Sequence, residues 1–215
     1  MTDVITNSKA LWDAHYDKQI GRGIFDYDRH LLVKLKHIVM RQLLITKVLD
    51  IGSGNGELTM VLRKDLKLEA YGIDISNRIV TWLNNQIKTT VRDRTGQTKT
   101  IKLFKYLDIN QDTYKTKQGK EVKIENFLAC YNCIIINKTL EYIDSKVLDK
   151  IKGYCIVVIS NKKETKEKMI ELLISKGFKQ ATSKDVIEEY REVRPELTEN
   201  IYIRGLVKTL KKRPK

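Results

Sequence analysis

An apolar run that ends in alternate glycines, VLDIGSGNG (Val48–Gly56), constrains this chain more than any other stretch. VLDIG suits a strand buried on both faces, and glycine at 52, 54 and 56 lets the backbone turn tightly before a helix from about Gly56 to Lys64. Strand-like and helix-like patterns then alternate. EAYGIDIS reads as a second strand, and NRIVTWLNNQIK as a helix capped by Ser76 or Asn77. IKLFKYLDI reads as a third strand, CYNCIIIN as a fourth and GYCIVVIS as a fifth. The helix KKETKEKMIELLISKGF closes on Gly177, and KDVIEEY and NIYIRGLVK supply two last β-like runs. This alternation predicts an α/β fold with a doubly wound, mostly parallel seven-stranded sheet.

Two helical patterns, 9–20 and 28–44, precede the first strand. In the second, Leu31, Leu35, Ile38 and Leu43 recur near the helical period with Lys34, Lys36 and Arg41 between them, which puts His37 on the exposed side. We expect a single domain over 1–207, with a helical N-terminal cap over about 1–45 and a basic tail over 208–215. Residues 110–126 read as a hydrophilic surface excursion. At 215 residues and 41% hydrophobic, the chain can bury a sizeable core.

The opening MTDVITNSKALWDAHYD carries no apolar signal core, and no run approaches a membrane span. A soluble, cytoplasmic protein with no membrane partner is expected. Cys130, Cys133 and Cys155 make no disulfide framework. The CxxC of ACYNC lies in a β-like run that would send its sulfurs to opposite faces, and no second pair completes a metal site. The cysteines are therefore expected to be buried and structural, with no metal.

The glycine loop opens a helix, whose free N–H groups make a nucleotide-type site. Its spacing differs from the GxGxxG of dinucleotide-binding turns, and Asp50 stands two residues before the first glycine. A carboxylate there repels a pyrophosphate and welcomes an ammonium group. A nucleoside carrying an amino acid in place of phosphates meets both demands, and S-adenosylmethionine is that molecule. Asp74 lies 18 residues after Gly56 at the end of the second strand, placed for a pair of ribose hydroxyls. Asp108 ends the third strand, placed to accept from an adenine amino group with Ile109 against the ring.

VLDIGSGNG, YGIDIS, YLDIN and YNCIIINKTLEYI together resemble the first four motifs of the class I S-adenosylmethionine-dependent methyltransferases, over roughly residues 10–180. The resemblance implies a sheet whose last strand runs antiparallel. It places Asp50, Gly52, Ser53, Gly54 and Gly56 at the methionine end of the cofactor. It places Asp74 and Ile75 at the ribose, Asp108 with Ile109 at the adenine, and Asn137 near the sulfonium. LWDAHYDK is similar to the segment that leads many of these enzymes, which implies that Trp12, Asp13 and Tyr16 help close the pocket.

The acceptor has no such signature. NKTLEYI lacks the Asn/Asp-Pro-Pro-aromatic motif of the N-methylating nucleic-acid enzymes, since Lys138 and Thr139 replace both prolines. No proline precedes Cys130 or Cys133, as cytosine-C5 chemistry would require. Asn137 stands where the ribose 2′-O class has an aspartate, although Lys34 and Lys162 could be forced into its set. Tyr142 follows Glu141 where metal-dependent RNA 3′-end enzymes have histidine. Asn137, Glu141, His15 and His30 are the candidate catalytic residues. The net charge of +14 favours a polyanionic acceptor, RNA before DNA, held by the basic loop 88–105 (Arg92, Arg94, Lys99, Lys102) and the tail 208–215. The alternatives are a small-metabolite methyltransferase and a non-catalytic, cofactor-binding regulatory subunit; a damaged first motif would favour the latter, and this one is intact.

Overall fold

The computed structural model describes residues 8–22, 29–42, 44–92, 95–160, 163–182 and 200–205. Two helices lead, α1 (Ser8–Arg22) and α2 (Arg29–Met40). Then come β1 (Lys47–Ile51), α3 (Glu57–Lys64), β2 (Glu69–Asp74) and α4 (Asn77–Gln86), close to the sequence reading. Ser76 caps α4 by accepting from Ile79 N, as expected of a serine at that position. A hairpin of β3 (Thr89–Arg92) and β4 (Thr98–Ile101) precedes the short third sheet strand, β5 (Phe104–Tyr106). A second hairpin, β6 (Thr113–Lys115) and β7 (Glu121–Lys123), leads into α5 (Ile124–Leu128) and β8 (Cys133–Asn137). A 3-10 turn (Leu140–Tyr142), α6 (Ser145–Lys150), β9 (Tyr154–Val158), α7 (Lys163–Ser175), β10 (Lys179–Gln180) and β11 (Ile201–Arg204) complete the order.

Seven strands form the central sheet in the order β10-β11-β9-β8-β1-β2-β5. β1 pairs in parallel with both β2 and β8, and only β11 runs against its neighbours. The central strands are apolar on both faces because both are covered. Leu49, Ile51, Ile134 and Ile136 pack against α5, α6 and α7, while Val48, Ile135 and Ile156 pack against α2 and α3. The chain winds outward from β1 through β2 to β5 and then crosses back to β8. The connections after β1 and β8 therefore lead to opposite sides of the sheet, and a crevice opens at the carboxyl ends of these strands.

Several expectations need correcting. The third strand is confined to Phe104–Tyr106, because Thr98–Ile101 is drawn into the hairpin with Thr89–Arg92. The excursion over 110–126 holds a second hairpin and the start of α5. The sheet edge is Lys179–Gln180, directly after the left-handed Gly177 that ends α7, and KDVIEEY lies outside the described residues. His37 is buried, because α2 turns a wider face inward that includes Leu32 and Val39 besides Leu31, Leu35 and Ile38. Cys130 is exposed in the turn after α5, whereas Cys133 and Cys155 are buried as expected. Leu43 and the tail 208–215 also lie outside the described residues. Among those described, no helix is long and apolar enough to cross a membrane, and no cluster of His, Cys, Asp and Glu is placed to hold a metal.

Candidate active site

The loop after β1 is anchored before any ligand is considered. Gly52 N and Ser53 N both donate to the Ile73 carbonyl of β2, at 2.8 and 3.0 Å, and Gly56 N donates to Ser53 O at 2.9 Å. Gly52, Gly54 and Gly56 have φ of 70°, 50° and 74°, the left-handed region that favours glycine. A Cβ on Gly52 would collide with Thr139, and one on Gly56 would come within 2.6 Å of the Phe104 ring. One on Gly54 would stand 3.2 Å from the Tyr16 hydroxyl. At Gly52 and Gly56 both the left-handed backbone and the protein's own close contacts call for glycine, and Gly52 also borders both cavities described below.

Two carboxylates flank this loop. Asp74 is buried at the end of β2, its Oδ2 accepting from Gly54 N at 3.0 Å and its Oδ1 from Ser76 N at 2.9 Å. Asp50 is 1% exposed and accepts from Thr59 Oγ1 at 2.9 Å. Burial pushes the Asp50 carboxyl up to about 7, with the nearby Asp74 charge adding to the shift. Burial likewise raises Asp74. Among the described residues, no lysine, arginine or histidine pairs with either. Burial and these two charges also hold the Tyr16 phenol far above its ordinary value, so it remains a proton donor.

Two cavities meet at Gly52. The first is walled on one side by Asp74, Ile75, Asp108 and Ile109, and on the other by Trp12, Tyr16, Thr139 and Tyr142. The second is bounded by Asp50, Ser53, Asn137 and Lys138, with Leu31 and Leu32 of α2 as its apolar side. Ser53 Oγ and Asn137 Oδ1 are buried without a hydrogen-bond partner among the described residues. Both atoms border the second cavity and can hydrogen-bond a molecule that enters it.

Of the residues singled out from sequence, the structure brings Trp12, Tyr16, Gly52, Asp74, Ile75, Asp108 and Ile109 to the first cavity, and Asp50, Ser53 and Asn137 to the second. Gly54 and Gly56 shape the loop but line neither cavity. His15 is exposed and meets Trp12 edge-on at 5.2 Å, and it too lines neither. The half-buried Glu141 is also absent from both walls, and the side chain of His30 lies outside the described residues. Sequence reasoning missed Thr139, Tyr142 and Asn110. The Asn110 amide donates to Tyr142 O at 2.9 Å and accepts from Asp144 N at 2.8 Å, tying the loop after β5 to the loop after β8. An aromatic five residues after Asn137 was the available signal. Lys138 was also missed as a wall residue; its φ of 57° is rare outside glycine.

The crevice lies at a sheet switch point, with acidic strand ends on one wall and an aromatic roof over it, the place where open α/β sheets hold their ligands. No protein-family model matches the chain, and no curated protein does. Among solved structures, it is similar to magnesium protoporphyrin IX methyltransferase from Synechocystis PCC 6803 with bound S-adenosylhomocysteine (SAH). That match has a TM-score of 0.53 at 15% identity and covers 83% of this chain and 91% of that one. It is also similar to the plantazolicin methyltransferase in complex with a pentazolic desmethylPZN analogue and SAH, with a TM-score of 0.53 at 16% identity over 94% and 92% of the two chains. The fold is that of the class I S-adenosylmethionine-dependent methyltransferases.

Proposed function

We propose that this protein is an S-adenosylmethionine-dependent methyltransferase whose acceptor is a nucleic acid, RNA in preference to DNA. The observation that carries the cofactor half is the pair Asp50 and Asp74, two buried carboxylates at one cleft that have no basic partner among the described residues. Such a pair is costly in an empty site and favourable around a cationic ligand. S-adenosylmethionine bears an ammonium, a sulfonium and a ribose diol, and supplies an electrophilic methyl group when bound.

The residues present fit that group. Asp50, Ser53 and Asn137 face the amino-acid end, where two orphaned oxygens await donors. Each Asp74 oxygen has accepted one backbone N–H and keeps a second lone pair for a ribose hydroxyl. Asp108 accepts from Asn110 N through Oδ1, leaving Oδ2 for the adenine amino group. Ile75, Ile109 and the rings of Trp12 and Tyr142 enclose the base. These walls would contribute to methyl transfer by positioning the acceptor in line with the methyl group and by excluding water.

The nucleic-acid half rests on the net charge of +14 and on the exposed β3–β4 hairpin, which carries Arg92 and Lys99. Arg94 and the tail 208–215 would add to it. A second reading, a small-metabolite acceptor, is favoured by the aromatic roof that Trp12, Tyr16 and Tyr142 place over the first cavity. Incubation with methyl-labelled cofactor and separate pools of RNA, DNA, protein and metabolites tests both. Label in RNA supports the proposal, and label in the metabolite pool alone replaces it with the second reading.

A further inference from the structure

A groove at the far end of the domain is built only of cationic, polar and aliphatic side chains. It is an open groove walled by Arg63, Lys64, Lys67, Lys88, Thr89 and Thr90, with no acidic residue on its walls. We infer that this groove binds the sugar-phosphate backbone of the RNA acceptor and anchors it while a distal nucleotide reaches the cleft. The inference rests on the nucleic-acid reading above and deepens it.

Helix C-termini carry partial negative charge, which explains Arg63 and Lys64 in the last turn of α3. It does not explain the other two lysines. Lys67 and Lys88 lie beyond the ends of α3 and α4 and form no ion pair among the described residues, and Lys64 forms none either. Lys67, two residues past the Asp65 C-cap of α3, has φ of 56°. The Leu68 N to Leu62 O bond of 3.2 Å closes that helix end around it. Lys64, Lys67 and Lys88 are all exposed, so three cationic groups stand free to meet phosphates along one groove. Arg63 is held rigidly, its Nη1 donating to Ala70 O at 3.1 Å and its guanidinium 5.6 Å from the Tyr71 ring centroid. The threonines at 89 and 90 begin the β3–β4 hairpin, which carries Arg92 and Lys99 beyond the groove.

The separation from the cleft sets the class of substrate. α3 and α4 start beside the cleft and end at the groove, and they are 8 and 10 residues long. At ~1.5 Å per residue the two sites lie roughly 12–15 Å apart along the helices. Phosphates of a stacked strand are about 3.4 Å apart along its axis, so the span corresponds to about four nucleotides. A mononucleotide cannot bridge it, whereas a strand of several nucleotides can.

The test uses the full chain and fluorescein-labelled, mixed-sequence oligoribonucleotides of 3 and 20 nucleotides, with anisotropy read at several KCl concentrations. One variant carries Lys64→Ala, Lys67→Gly and Lys88→Ala; glycine suits the left-handed position, so the fold is spared. A control of equal charge carries Lys115→Ala, Lys117→Ala and Lys120→Ala on the β6–β7 hairpin. The groove variant is expected to bind the 20-mer tenfold or more weaker than the control, with the log–log salt slope reduced by about 2. Calorimetric affinity for SAH should be the same in all three proteins, and the 3-mer should bind far more weakly than the 20-mer. Equal RNA binding by groove variant and control overturns the groove while leaving the nucleic-acid reading intact. No RNA binding by the unaltered protein at low salt overturns both. Tighter binding of poly-L-glutamate than of RNA, lost in the groove variant, overturns the inference in favour of an acidic protein partner.

Discussion

The Ser76 hydroxyl donates to the Asp13 carboxylate at 2.5 Å while accepting from Ile79 N at 3.4 Å. One side chain thus caps α4 and latches α1 onto it, and Arg78 N at 3.3 Å and Lys9 at 2.9 Å complete the contacts of Asp13. Trp12 and Tyr16, which roof the first cavity, lie on the helix so held. Asp13→Ala should cost about 1–2 kcal/mol of stability, since it removes charge-assisted hydrogen bonds at a helix N-terminus. It should also raise the Kd for SAH several-fold by freeing the roof. Thermal melts and calorimetry on the same preparation check both, and an unchanged Kd would separate α1 from the binding site.

Asp50 makes the empty protein sensitive to pH. Its folded value of about 7 lies above the 3.8 of a free carboxyl, so the folded state holds a proton that the unfolded state releases. Stability from this group is full below pH 3.8 and is lost as pH rises through 7. Roughly 3 units at 1.36 kcal/mol each give a loss on the order of 4 kcal/mol. Asp74 is shifted in the same direction and adds to the slope. Urea unfolding from pH 5 to 8 should show stability falling with pH, and Asp50→Asn should flatten the curve. Binding of a cationic cofactor should do the reverse, tightening as Asp50 ionises. A Kd for S-adenosylmethionine that weakens between pH 6 and 8 contradicts the assignment of Asp50 to the ammonium.

How much of this was legible beforehand depends on burial. β1, β2, β8 and β9 are covered on both faces, so their sequences are nearly continuous apolar runs that admit few other readings. The hairpin β3–β4 is exposed almost throughout, so TTVR and TKTI carry no alternation to detect. Its pairing is a property of the backbone. β10 is two residues long and too short for any pattern. At the site, acidic residues at strand ends were readable from spacing, because strand ends are fixed by the apolar runs before them. Thr139 and Tyr142 were not, since their approach to Gly52 and Trp12 depends on how the loops after β1 and β8 meet.

Gly52 is expected to tolerate substitution less well than Gly54. Alanine there meets Thr139, whose Oγ1 is itself fixed by donating to Ile51 O at 3.1 Å, so the neighbour cannot easily withdraw. Overpacking of about 1–3 kcal/mol adds to a left-handed backbone cost of about 1–2 kcal/mol. Gly54→Ala carries mainly the second cost, because the Tyr16 hydroxyl at 3.2 Å is the far end of a side chain. Chemical denaturation should therefore rank Gly52→Ala below Gly54→Ala by at least 1 kcal/mol. The opposite order would mean that the loop does not pack on Thr139 in solution.

The ribose contact proposed for Asp74 has to be separated from its structural work. Both oxygens already hold backbone N–H groups, those of Gly54 and Ser76, so any replacement loosens the loop as well as the ligand. Asp74→Asn turns one of those acceptors into a donor facing a donor, and should cost about 2–3 kcal/mol in stability whatever the ligand. A loss of affinity in this variant alone proves nothing about ribose. The informative quantity is the ratio of affinities for SAH and its 2′-deoxy analogue, measured in both proteins as a double-mutant cycle. If the carboxylate accepts from the 2′-hydroxyl, the unaltered protein should prefer SAH by about 1.5–3 kcal/mol, the range for a hydrogen bond to a charged group. In Asp74→Asn most of that preference should vanish, because the remaining amide makes at best a neutral bond. Equal preference in the two proteins would leave Asp74 as a clamp on the glycine loop, with the diol held elsewhere in the cavity.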